Sequence, residues 1–218
     1  MAALDPIYAS PLAVRLISHV AESLAESLKL TPAQTSVGLI TADNDDATYV
    51  AIDEATKMAD VEVVYAHSFY AGAKHASGPL SGEIIAMLAG PSPAEVRAGL
   101  NAALKYMKTE AVWYSANADG SIAFFPHLIS RTGTYLSKVC GIPVGEPLAY
   151  LVAPPLEGVY ALDAALKAAN VRIVSYTAPP SETNYMGAML TGTQSSCRAA
   201  TLAFQEAVLD VAQKPMSY

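Results

Sequence analysis

Ala149 to Tyr176 reads AYLVAPPLEGVYALDAALKAANVRIVSY, and this stretch decides the fold because the chain carries it twice. Leu151-Val152 closes an apolar run and Ala153-Pro154-Pro155 breaks it. Val159, Leu162, Leu166 and Ala169 then return at helical spacing. Val171, Ile173 and Val174 supply the β-branched residues of a following strand. The earlier stretch Tyr49 to Val64, YVAIDEATKMADVEVV, repeats this pattern. Adding 110 to each number places Ala51 on Ala161, Asp53 on Asp163, Ala55 on Ala165, Lys57 on Lys167, Ala59 on Ala169, Val61 on Val171 and Val64 on Val174. Seven identities in sixteen residues, in step with the helical period, mark a duplication.

The repeat extends outward from this pair. Ile17 to Leu30, ISHVAESLAESLKL, echoes Ile129 to Ile142, ISRTGTYLSKVCGI, at an offset of 112, each a short strand running into a short helix. The strand VGLIT (Val37 to Thr41) pairs with AYLV in the second half. AMLAG ending at Gly90 matches AMLTG ending at Gly192, at an offset of 102. Between these landmarks the halves diverge: residues 65–82 read as a long Gly/Ala/His/aromatic loop, eight residues longer than its counterpart. A closing helix ends each half. Ser92-Pro93-Ala94-Glu95 is a capping box with Pro at N1 for the first, and Thr193-Gln194-Ser195-Ser196 caps the second. The expected architecture is α/β: two domains, 1–110 and 111–218, each β-α-β-α-β-β-α with helices on one side of a mixed sheet.

Composition narrows the function. The 218 residues are 52% hydrophobic and only 15% charged, with net charge −7. Such an apolar chain is not disordered, and it carries more buried surface than an isolated monomer requires. No Lys/Arg-rich run offers a nucleic-acid or anionic-membrane surface. No apolar stretch reaches the ~20 residues of a membrane span. The first residues lack the basic region of a secretory signal, so a cytosolic setting is expected. Cys140 and Cys197, without motif spacing, read as small buried hydrophobes.

Catalytic patterns are thin. His19, His67, His75 and His127 show no metal spacing, and no nucleophile elbow, Walker loop or dinucleotide fingerprint occurs, so no catalytic residue, metal or cofactor is expected. The densest charge cluster is Asp43-Asn44-Asp45-Asp46. Asp45 or Asp46 can cap a helix there, yet three aspartates in four residues exceed what a cap needs, and a cation site is the sharper alternative. An EF-hand fits poorly, because Ala47 and Thr48 stand where a ligand and a glycine belong. Glu83 opens an apolar strand, Trp113 is either core or a face for a cation, and Glu182-Thr183-Asn184 reads as a turn.

With the repeat in hand, the chain resembles the tandem, circularly permuted bacterial-microcompartment (BMC) shell proteins, and within them the ethanolamine-utilisation branch. The matching segments are GLITADNDDATYVAIDEATK, GPSPAEVRAGLNA, SRTGTYLS, AYLVAPPLE, LDAALKAANV and PPSETNY, with VEVVY followed by FYAGA, spread over nearly the whole length. The resemblance implies a structural role, not an enzyme. It implies homotrimers forming pseudohexagonal tiles that assemble laterally with other shell proteins of a microcompartment in the cytoplasm, around a gated pore. It further implies an ethanolamine site formed by Asp45, Asp46, Glu83, Trp113, Glu182, Thr183 and Asn184. Clustered carboxylates suit an alkylammonium independently of the resemblance. The length difference between the halves points to 65–82 as the gate, with Phe69 and Tyr70 as plugs and Gly72 as a pivot. A free-standing ligand-binding regulatory module of duplicated ferredoxin-like domains is the competing expectation, and an enzyme with a site between the halves the third. Particle shape separates the first two.

Overall fold

The computed structural model describes residues 3–69, 83–179 and 185–217. The chain forms two units. The N-terminal unit comprises Tyr8–Ala111 together with Gly133–Leu136, and the C-terminal unit comprises the first residues to Ile7, Val112–Thr132 and the chain from Ser137 onward.

In the N-terminal unit, β2 (Pro11–Ile17), α1 (Glu22–Ser27), β3 (Ser36–Ala42), α2 (Asp45–Met58), β4 (Glu62–Phe69), β5 (Glu83–Gly90) and α3 (Pro93–Thr109) follow in sequence. The strands form one sheet in the order β2-β3-β5-β4, with every neighbouring pair antiparallel. β3 and β4, joined through α2, therefore run parallel to each other with β5 between them. Along β5, Ile84, Ala86 and Leu88 are buried while Glu83, Ile85 and Met87 alternate onto the other face. α2 buries Ala47, Val50, Ala51, Ile52 and Ala55, the spacing of one helical stripe. Each large side chain so buried contributes roughly 1.5–3 kcal/mol.

The C-terminal unit repeats the pattern with β7 (Ala123–Ile129), α4 (Thr134–Cys140, which begins among the residues of the other unit), β8 (Leu148–Ala153), α5 (Pro155–Ala168), β9 (Val171–Thr177), β10 (Met186–Gly192) and α6 (Gln194–Gln213). Its sheet runs β7-β8-β10-β9 and gains two strands at the edge, β1 (Pro6–Tyr8) and β6 (Val112–Ser115), in the order β1-β6-β7. Phe124, Leu151, Leu162, Met186, Leu190 and Phe204 lie in its core.

The duplication holds at the level of backbone angles. α2 and α5 span equivalent residues, and their C-caps Ala59 and Ala169 turn extended at φ/ψ of −148/160° and −151/158°. Lys29 and Gly141, which align at the offset of 112, both have positive φ, +55° and +61°. Gly90 and Gly192 sit against the same neighbours: an added Cβ would meet Asp60 O at 2.9 Å in one and Asn170 O at 2.8 Å in the other.

Three local expectations need correction. Residues 65–69 are not loop. They complete β4, whose pairing with β5 continues to Phe69 opposite Glu83, because Tyr65, His67 and Phe69 alternate with smaller residues at strand period. The cap of α2 is Asn44, not Asp45 or Asp46: its side chain accepts from Ala47 N at 2.8 Å. In the capping box only Ser92 acts as expected, accepting from Glu95 N, while the Glu95 carboxylate accepts from Asp60 N at 2.8 Å instead of folding back. Pro93 at the first turn and the Thr193 cap of α6 stand as expected.

Candidate functional site: the acidic corner of α2

β3 ends at Ala42 and α2 begins at Asp45, so the four polar residues between Ala42 and Ala47 crowd one corner of the N-terminal unit. Asp43 Oδ1 accepts from Ser10 N at 2.6 Å, tying the corner to the start of β2. Asn44 caps the helix, and Thr48 Oγ1 donates to Asn44 O at 2.6 Å. Asp45 is buried: its Oδ2 accepts from Ser68 Oγ at 2.7 Å and its Oδ1 from Asp46 N at 2.9 Å. Asp46 is partly exposed beside it. One turn further, the Tyr49 phenol lies near both acids and stacks on Tyr135 with ring centroids 6.1 Å apart. Burial, then the charge of Asp45, pushes its ionisation above the usual phenol range.

The other expected site residues belong to further elements. Glu83 opens β5. Its neighbour Ile84 pairs with Ser68, whose hydroxyl reaches Asp45, so Glu83 lies one strand position from that register. Trp113 lies buried in β6 of the C-terminal unit, stacked on Phe125 at 5.4 Å and edge-on to Tyr185 at 5.5 Å. Glu182, Thr183 and Asn184 lie outside the described residues, as do Tyr70 and Gly72 of the expected gate. Phe69 is the last residue of β4. Sequence reading missed Ser68 and Tyr49, although both belong to apolar-periodic segments where a polar group needs a partner.

It also used Asp53 only as an identity with Asp163. In the structure Asp53 is a second buried acid: Oδ2 accepts from Gly133 N at 2.7 Å and Oδ1 from Leu136 N at 2.8 Å, and Lys57 stands 3.7 Å away. The side chain of α2 thus caps α4, whose own cap position is a glycine. Burial raises the Asp53 carboxyl, opposed by the Leu136 and Gly133 amides and by Lys57. Thr56 Oγ1 accepts from Thr134 N at 3.1 Å, completing the clasp.

Among the described residues no three His, Cys, Asp or Glu side chains are placed to hold a metal ion. His127 is buried, stacked 5.0 Å from Phe125, while His19 and His67 are exposed. Cys140 and Cys197 are buried and unbridged, with Cys140 Sγ 3.2 Å from Met189 Sδ. No helix of the described residues is long and apolar enough to cross a membrane.

These elements define a protein of two tandem homologous domains whose buried acids brace backbone amides. The profile described as "BMC domain" matches residues 36–117 and 153–216. The chain is 58% identical over 214 residues, 98% of its length and 99% of the relative's, to the bacterial microcompartment shell protein EutL of Clostridium perfringens. It is 54% identical over 216 residues to EutL of Salmonella typhimurium, covering 99% of each chain. The crystal structure of ethanolamine utilization protein EutL from Leptotrichia buccalis superimposes with TM-score 0.93 at 57% identity, covering 100% of both chains. The chain belongs to the BMC-domain family, in its EutL branch of bacterial microcompartment shell proteins. Its role is structural.

Proposed function

We propose that the chain is a shell tile of an ethanolamine-utilising microcompartment and assembles as a homotrimer of six similar domains around a central pore. Likeness over the whole length to proteins named for ethanolamine utilisation carries this reading. Duplication supports the trimer: three chains of two like domains close a ring of six. Exposed Leu156, Tyr160, Ile173, Tyr176 and Leu202 supply apolar surface for neighbours. Light scattering should give the mass of a trimer, and negative-stain images should show flat hexagonal sheets. Stable monomers at micromolar concentration would overturn the trimer, and discrete particles without sheets would favour a free-standing binding module.

Asp45 and Asp46 are proposed to receive the ammonium group of ethanolamine, with Glu83, Trp113, Glu182, Thr183 and Asn184 as the further members of the set. The buried Asp45 carboxylate, with the partly exposed Asp46 beside it, supports this part. Four heavy atoms at no better than about −1.5 kcal/mol each limit affinity to about −6 kcal/mol, or tens of micromolar. Calorimetry should give a saturable heat that Asp45→Asn weakens at least about tenfold, the worth of one charge-assisted contact. Equal heats for both proteins would leave the aspartates as purely structural groups. The gate proposal, Phe69 with Tyr70 and Gly72, predicts amide exchange in residues 70–82 faster than in the flanking strands.

A further inference from the structure

In the C-terminal unit, a cavity of about 360 Å³ opens between the turn after α4 and the ends of β9 and β10. Glu146 lines it from the turn and Arg172 from β9, the edge strand, with Ile142, Pro143 and Val171 as apolar wall. The frame is tied down on both sides. Glu146 O accepts from Thr132 N at 3.1 Å and from Thr132 Oγ1 at 3.0 Å, while Gly145 N donates to Thr132 O at 3.0 Å. Thr191, paired with Arg172 across the β9–β10 ladder, donates from Oγ1 to Pro147 O at 2.8 Å. The N-terminal unit has a matching turn and strand position. Gln34 N donates to Thr31 O as Glu146 N donates to Pro143 O, and Glu62 pairs with Ala89 as Arg172 pairs with Thr191. There a direct bond spans the gap, Gln34 Nε2 donating to Glu62 Oε2 at 2.9 Å. In the C-terminal unit the same two places carry opposite charges, which would make a stronger pair than an amide with a carboxylate. Yet Glu146 and Arg172 form no ion pair with each other; both line the open cavity instead.

We propose that this cavity binds a small amino acid as its zwitterion, the carboxylate on Arg172 and the ammonium on Glu146. A guanidinium presents paired N–H donors that match a carboxylate, and a carboxylate accepts from the three N–H groups of an ammonium. The two ends together select the ligand. A simple anion would meet Glu146 as a like charge, and a simple cation would meet Arg172 in the same way. A molecule carrying both signs satisfies both ends and bridges the gap that Gln34 and Glu62 close by themselves in the other repeat. The volume lies at the low end of ligand pockets, which run from roughly 300 to 1,000 Å³, so the ligand is small. Ile142, Pro143 and Val171 offer its carbon chain an apolar wall. This site and the acidic corner belong to different units, and ethanolamine, which has no anionic group, does not fit it.

The test is calorimetry on the full chain with glycine, β-alanine and 4-aminobutanoate, which space the two charges by increasing lengths of carbon chain. At least one should give a saturable heat. Acetate and methylammonium, each carrying one of the two charges, should bind about tenfold or more weakly than the best of them. Arg172→Gln and Glu146→Gln, both exposed changes, should each weaken the amino acid about tenfold or more while the thermal midpoint stays put. The heat given by ethanolamine should be the same in both variants as in wild type. No saturable heat from any of the three amino acids overturns the proposal. Binding that both variants retain overturns it too, since the ligand then sits elsewhere. Acetate bound as tightly as the best amino acid leaves a one-ended anion site and overturns it. An ethanolamine heat that falls along with the amino-acid heat points to one shared site and does the same.

Discussion

A methyl group at Gly133 would sit 2.5 Å from the Asp53 carbonyl oxygen and 2.9 Å from its carboxylate, so this position tolerates only glycine while α2 stays in place. Gly133→Ala should cost about 1–3 kcal/mol, the usual penalty of overpacking, read from urea denaturation. Asp53→Ala should cost about 2–4 kcal/mol, since it leaves two buried amides without acceptors. Nothing in the local sequence announces this bond. Its partners lie 80 and 83 residues apart, and only the recurrence of aspartate at 53 and 163 hinted that the position matters. Two phenols add a pH signature. Burial pushes both Tyr49 and Tyr106 above the ordinary phenol range, while the unfolded chain ionises near pH 10. Folded-state values above unfolded ones give stability that is full below about pH 10 and falls as pH rises past it. Tyr49→Phe and Tyr106→Phe should each flatten that alkaline decline in denaturation series across pH 9 to 11.

At the scale of elements, periodicity told most of what mattered. The stripe Val159, Leu162, Leu166 and the run Val171 to Val174 are local patterns, and the helix and strand they announced are present. β4 was legible too, but the alternation of Tyr65, His67 and Phe69 was hidden by the small residues that follow. β6 is four residues long, too short for a period to show. The cap of α2 went to Asn44 because a cap needs one side chain at one backbone position, and four adjacent polar residues cannot be ranked without it. Asn44→Ala should lower stability by about 1 kcal/mol, visible as a lower thermal midpoint, whereas Asp46→Ala should cost less. The acidic corner was legible as a cluster. Its wiring to Ser10 and Ser68 was not, since strand register decides which side chains reach it.

For the whole molecule, the division of the chain does not follow its order. Met1–Ile7 belong with the C-terminal unit and Gly133–Leu136 with the N-terminal one. A cut between Ala111 and Val112 would therefore leave neither piece whole. The first fragment would carry off β1, the outermost strand of the six-stranded sheet, and leave Asp53 facing no amides. The two halves are repeats of one unit, yet each unit draws residues from both sides of that cut. Expressed separately, fragments 1–111 and 112–218 should each show weak, non-cooperative melting by circular dichroism. Mixed in equal amounts, they should recover one cooperative transition. Fission of the gene at that point would yield a two-component switch assembled on demand, and the lacing of four residues through the other unit is what would make its parts recognise each other.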